Sequence, residues 1–197
     1  NILTLAAPMT LAQLINVLYS VVDRMYLGRL PGHLALTGLG LTMPIVSILM
    51  GFANLCGMGG APLCSICRGQ GDDEEAEHIL GNSFTLLLIL GAAATLVFLL
   101  LKRPVLCLFG ASEATFPYAD AYLTIYLCGT LFVMVSLGMN PFINAQGFAE
   151  IGMMTVGLGA VVNIVLDPVF IFVLDMGVQG AALATVIAQG CSAVWVL

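Results

Sequence analysis

The chain has 197 residues, 60% of them hydrophobic and only 8% charged, with a mean hydropathy of +1.09. Soluble domains carry about 25% charged residues, and disordered chains need low hydrophobicity with high charge, so both classes are excluded. Five Lys and Arg against eleven Asp and Glu, net charge −6, leave no basic stripe for nucleic acid. Six cysteines scattered through apolar runs do not make a small disulfide framework. What remains is an all-α membrane protein that crosses the bilayer several times.

A helix needs about 20 mostly apolar residues to cross a bilayer, at about 1.5 Å each, so charges and turn residues mark the borders. The first span is predicted over residues 3–27, before the break at Gly28, Pro31 and Gly32. Residues 34–67 carry no charge; about 50 Å long if helical, they read as one tilted second span. It is expected to be loosened at Gly57, Gly59, Gly60 and Pro62 and to end at Arg68-Gly-Gln-Gly-Asp72. A polar stretch, Asp72 to His78, then lies outside the membrane. The third span, 79–101, is closed by Lys102, Arg103 and Pro104. The fourth, 117–139, follows Glu113 and stops at Asn140-Pro141. The fifth, 151–174, contains Pro168 and ends at the turn Asp175-Met-Gly177, and the sixth runs over 180–197. The expectation is a single six-helix transmembrane bundle over 1–197. Barrel-type alternation is absent. Asn1 in place of Met and an apolar run up to Leu197 make the sequence read as a fragment, and the start lacks the positive n-region of a signal peptide.

Arg24, Arg29, Lys102 and Arg103 follow odd-numbered spans, whereas only Arg68 follows an even-numbered one. By the positive-inside rule the chain would start outside the cell.

An ionisable group at membrane depth costs about 2.5 to 3.5 kcal/mol, so each needs a reason. There are two, Asp23 and Asp167. The first and fifth spans run in the same direction, and the sixth returns antiparallel. Asp167 lies nine residues before the turn at Met176 and Thr185 nine after it, which puts both about 13 Å below one surface. Asp23 falls about 10 Å below the same surface. Asn163 is one turn from Asp167 on the same face, and Pro168 has no N–H for the Ile164 carbonyl. Two carboxylates, an amide, a hydroxyl and a bare carbonyl then converge on an oxygen-rich site for a hard monovalent cation or for protons, and the two acids titrate as a unit. The alternatives are an interfacial Asp23 that snorkels to the headgroups and a structural Asp167.

Gln13, Asn16 and Tyr19 recur every three residues along the first span, a polar stripe that either lines a cavity or hydrogen-bonds a neighbouring helix. Arg24 does not share the face of Asp23 and points to headgroups. Glu113 and Asp120 sit where a helix N-terminus favours negative charge, and the acidic run Asp72 to Glu77 opens the third span as a solvated face. Cys64-x-x-Cys67 has metal-like spacing without a second pair or a nearby His. His33 and His78 read as loop residues, and the ten methionines as gap fillers. Gly177-x-x-x-Ala181 and Ala184-x-x-x-Ala188 fit close helix packing in lipid.

Several segments carry a resemblance in their order and spacing: Val-Val-Asp23-Arg-Met-Tyr-Leu-Gly28, Gly69-Gln-Gly-Asp72, Leu108-Phe-Gly-Ala-Ser-Glu113, Ala145-Gln-Gly147, and Asn163-Ile-Val-Leu-Asp-Pro168 leading into Gly177-Val-Gln-Gly-Ala-Ala-Leu-Ala-Thr185. Together they are similar to the multidrug and toxic compound extrusion (MATE) transporters. The resemblance implies one six-helix lobe of a twelve-helix protein, with the second lobe missing from this sequence. It further implies export of cationic or amphipathic organic compounds across a bacterial or archaeal plasma membrane in exchange for sodium ions or protons, with no cofactor and no enzymatic step. The family's cation site, possible sodium ligands included, carries over to Asp23, Asn163, Asp167 and Thr185. Pro8 resembles a helix-one proline linked in some members to bending, and Tyr19 fits a cavity-lining position, which makes Gln13, Asn16 and Tyr19 the candidate substrate cavity. Many members have Arg where this chain has Asn144, and a basic residue near Glu150. Members start in the cytoplasm, and this orientation is preferred to the charge count. Two rivals stay open. An intramembrane aspartyl protease also needs facing carboxylates, but Leu166 precedes Asp167 where Gly-x-Gly-Asp is expected. A lipid-linked oligosaccharide flippase of the same superfamily would share the fold and call for cationic pockets.

Overall fold

The computed structural model describes residues 2–28 and 33–197, with side chains from Ala6 to Gly28 and from Leu34 onward. Helices carry nearly all of it, with no strand among the described residues: α1 (Ile2–Leu27), α2 (His33–Gln70), α3 (Asp73–Leu108), α4 (Phe116–Cys128), α5 (Thr130–Ala145), α6 (Ala149–Pro168), a π-helical turn (Val169–Val173) and α7 (Gly177–Val196). In lipid every backbone group must be paired internally, and helices of this length do so. Among the described residues, four helices are long and apolar enough to cross a bilayer, and the bent pair α4–α5 makes a fifth. The 26-residue α1, about 39 Å long, stands where the first span is predicted. Arg29, Pro31 and Gly32 lie outside the described residues.

Several borders differ from the expectation. The second span is not loosened at its glycines, because α2 continues through Gly57, Gly59, Gly60 and Pro62. Gly57 serves a close helix crossing instead: a Cβ there would stand 2.6 Å from the Gly138 carbonyl of α5. The third span is longer than 79–101. The Asp72 side chain accepts the Glu75 N–H at 3.1 Å, and Asp73, Glu74 and Glu75 occupy the first turn, where the helix dipole favours negative charge. His78 is therefore helical, and His33 opens α2. Nor do Lys102, Arg103 and Pro104 end α3. The Lys102 ammonium reaches Asp120 of α4 at 2.8 Å and donates to the Thr124 hydroxyl at 2.9 Å, while the Arg103 guanidinium lies over the Phe116 ring, 5.7 Å from its centroid. Asp120 thus ties α4 to α3.

The fourth span is broken, not straight over 117–139. It bends by 59° between α4 and α5 at Gly129, where the Val186 side chain of α7 fills the room a Cβ would take. It then runs through Asn140 and Pro141 to Ala145. The fifth stays α-helical only to Pro168 before it passes into the π turn, and the sixth begins earlier than 180, at Gly177.

Two apolar clusters hold the bundle. One joins Leu39 and Leu49 of α2 to Leu106, Leu123, Leu127 and Ala182; the other joins Ala53 and Cys64 to Leu87, Met134 and Phe142. Leu100, Val161 and Val194 are exposed on the outside, as a lipid-facing surface requires. Ala181, Ala184 and Ala188 bury a small-residue face of α7. Helix α7 runs antiparallel to α6, with Gly180 against Phe170 and Ser192 against Gly159. By contrast α1 runs parallel to α6: Pro8 shares a groove with Glu150 and Met153, and Tyr26 meets Phe172 edge-on at 6.1 Å. This pairing places the acids.

Candidate functional site

In its last two turns, α6 carries Asn163 and Asp167 on one inward face. Both are sealed, with 2% and 0% of their surface accessible. The Asn163 amide donates to Asp167 Oδ1 at 3.3 Å and to Thr185 Oγ1 of α7 at 3.5 Å. The Thr185 hydroxyl in turn donates to the Ala181 carbonyl at 3.0 Å. Because α1 runs parallel to α6, Asp23 arrives level with Asp167, and the two carboxyl groups are near enough to interact directly. The predicted set Asp23, Asn163, Asp167 and Thr185 is therefore gathered in one layer between three helices. Asn163, rather than Asp167, is the direct partner of Thr185.

Three oxygens in this layer have no hydrogen-bond donor from the described residues: Asp23 Oδ1, Asp167 Oδ2 and Asn163 Oδ1. Buried polar atoms are costly when unpaired, and two facing carboxylates repel strongly away from water. A cation coordinated by the oxygens, or a proton shared by the acids, relieves both problems. Among the described residues no group of three or more His, Cys, Asp or Glu gathers, so a cation here would be held by two carboxylates and neutral oxygens. That donor set suits a hard monovalent ion better than zinc. Cys64 of the Cys-x-x-Cys pair instead directs its thiol to the Ala76 carbonyl at 3.6 Å. Directly beyond Asp167, Pro168 has no N–H to donate to the Ile164 carbonyl, and the π turn follows, a local irregularity frequent at functional sites.

The polar stripe of α1 divides. Gln13 and Asn16 line a cavity against α5 and α6. Tyr19 lies further along, within electrostatic reach of Asp23 and Asp167. Pro8 sits inside an unbroken α1. Residues not singled out from sequence also reach the site. On α4, Tyr122 stacks on Tyr126 at 6.0 Å, both are buried, and Tyr122 lies within electrostatic reach of both acids. Two tyrosines four residues apart in an apolar span were the available signal, since a buried phenol usually needs a polar partner. Gln189, one turn from Thr185, has its buried amide oxygen unpartnered.

The sequence profile of the MatE family matches residues 8–169. The chain belongs to this family. It is 31% identical over 182 residues to the multidrug export protein MepA of Staphylococcus haemolyticus, covering 92% of this chain and 40% of that protein. To MepA of Staphylococcus aureus it is 29% identical, covering 95% and 42%. An outward-facing structure of a multidrug resistance MATE transporter superposes with a TM-score of 0.93 at 29% identity, over 98% of this chain and 42% of that one. MATE structures in a bent and a straight conformation match equally well, with TM-scores of 0.92 and 0.93 and identities of 29% and 30%, each over 99% of this chain and 43% of the other. The chain thus spans about two fifths of the length of these relatives. MatE membership leaves the intramembrane protease without support.

Proposed function

We propose that this chain is the ion-binding lobe of a multidrug exporter in a bacterial or archaeal plasma membrane, driven by sodium ions or protons and working with a second lobe of the same polypeptide. The observation that carries this reading is the set of unpartnered oxygens of Asp23, Asn163 and Asp167 in one buried layer. Asp167 and Asn163 are fixed to each other and to Thr185, whereas Asp23 rides on a separate helix. Filling the layer draws α1 toward α6; emptying it releases the repulsion between the acids and loosens α1. An ion shifts such an equilibrium only by its differential affinity for the two states, and a carboxylate pair split between two helices supplies that difference. The exported compound, an organic cation or amphipath, would contact α1 and so respond to its position. No covalent step and no cofactor enter. A flippase for lipid-linked pyrophosphates would need several free cationic side chains together; among the described residues Lys102 and Arg103 are engaged with Asp120 and Phe116 and Arg68 stands 3.9 Å from Asp73, which leaves Arg24 alone at a cavity.

Efflux assays on the full-length parent test the reading. Asp23→Asn and Asp167→Asn should each reduce ion-driven efflux at least about tenfold, which corresponds to the loss of about 1.4 kcal/mol of coupling. Intact coupled efflux in both variants would refute it.

A further inference from the structure

Below the acid layer, toward the end of the bundle where α1 begins, the lobe contains a second polar region. Asn16 of α1 and Val156 of α6, each seven residues before Asp23 and Asn163 respectively, line a cavity of about 190 Å³ whose walls include Gln13, Asn140, Asn144 and Gly152. It adjoins a cleft of 520 Å³ that shares Gln13, Asn140 and Asn144 and extends to Asn54 and Ser65 of α2, with exposed Met58 at its rim. The buried side-chain oxygens of Asn140 and Asn144 have no hydrogen-bond partner among the described residues, although the Asn140 amide donates to the Gly152 carbonyl at 3.4 Å. A Cβ on Gly152 would stand 2.8 Å from the Asn140 oxygen and closer still to that of Asn144, so glycine makes the room in which both oxygens face α6. Gln13, Asn16, Asn140 and Asn144 put polar groups into walls otherwise made by Met9, Leu137, Met153 and Val156, and a cavity of this volume with several polar partners has room for water. Between it and the acid layer stands Tyr19, three residues after Asn16 and four before Asp23, within electrostatic reach of Asp23 and Asp167.

We propose that this chain of cavities is the route by which the coupling ion passes between the acid pair and the end of the lobe at which α1 begins, with Tyr19 as the barrier across it. The inference rests on the cation-coupled reading above. The carboxamide side chains of Gln13, Asn16, Asn140 and Asn144 give the cavity walls neutral polar groups, suited to a partly hydrated sodium ion or a water-borne proton. None carries a charge that would trap it.

The test uses the full-length parent with its native cysteines replaced, in membrane vesicles of both orientations. Asn16→Cys and Val156→Cys are treated with a small cationic methanethiosulfonate reagent, and Val161→Cys on the exposed outer face of α6 serves as the control. From the side where α1 begins, both cavity positions should react at least about tenfold faster than the control. In proteoliposomes without drug, Tyr19→Ala should raise sodium or proton flux at least about tenfold, while Tyr19→Phe, which keeps the ring, should stay tight. Labelling no faster than the control, or no leak from a folded Tyr19→Ala, overturns the route; if Tyr19→Ala does not fold, labelling alone decides. A failure of labelling in a parent whose efflux is ion-driven refutes the route and leaves the coupling reading standing. A parent whose efflux needs no ion gradient refutes both.

Discussion

Gly57→Ala puts one methyl group where α2 crosses α5, and the structure sets its effect. The new Cβ would lie 2.6 Å from the Gly138 carbonyl oxygen, 3.0 Å from Pro141 Cγ and 3.3 Å from the Gly138 carbonyl carbon. Ordinary contact begins at 3.4 Å, so the carbonyl must retreat by about 0.8 Å, and it belongs to a helix backbone, not to a side chain that could rotate away. Overpacking of this kind costs about 1–3 kcal/mol, and the rigid partner places it near 3. Two residues along, a Cβ on Gly59 meets nothing within 4 Å, so Gly59→Ala gains only the helix preference of alanine, about 1 kcal/mol. Comparing the two variants cancels that preference. At about 2–4 °C per kcal/mol for a unit of this size, Gly57→Ala should melt roughly 6–12 °C below Gly59→Ala in detergent, by circular dichroism or tryptophan fluorescence. Equal melting temperatures would refute the close crossing, and with it the wall that Asn54, Leu137 and Pro141 give to the polar cleft.

A second crossing offers a rescue experiment. A Cβ on Gly159 would stand 2.6 Å from Ser192 Oγ but 3.9 Å from its Cβ, so Gly159→Ala should lower the melting temperature and the double variant with Ser192→Ala should recover most of the loss, even though the bond from Ser192 to the Thr155 carbonyl goes. The Lys102–Asp120 pair, at 2.8 Å with each side chain 29% exposed, should show a coupling of about 1 kcal/mol in a double-mutant cycle of Lys102→Met and Asp120→Asn, between the values for exposed and fully buried pairs; a coupling of zero would mean the pair does not tie α3 to α4. Asp72→Ala removes the N-cap of α3 and should cost about 1 kcal/mol, seen as faster amide exchange at Glu75, whose N–H it accepts.

The acid site was largely legible because membrane insertion penalises charge. A carboxylate inside an apolar run is conspicuous, and helix rise converts its position into a depth. Asp23, Asp167 and Thr185 were placed in one layer by counting alone, and Asn163 followed from its four-residue spacing. The helix borders were less legible, because charge at a border has two meanings. Lys102 looked like the end of a span but is neutralised across the helix gap by Asp120, and the acidic turn before Ile79 is itself helical, since the dipole welcomes it. Glycine was ambiguous for a similar reason. Gly57 read as loosening, yet it is the point of closest approach, whereas Gly129 marks a real bend that no charge announced.

From the amino acids alone came the solvent of this protein and which ionisable groups lie within its apolar segments, because transfer free energy and helix rise act one residue at a time. Which helices pair, which way their faces turn and where room is left between them depend on contacts between side chains of different helices. The parallel seating of α1 on α6 brings Asp23 to Asp167, and the packing of Gly152 against Asn140 and Asn144 shapes the polar cavity below. Neither leaves a periodic trace in the sequence, because side-chain shape acts across the bundle and not along the chain.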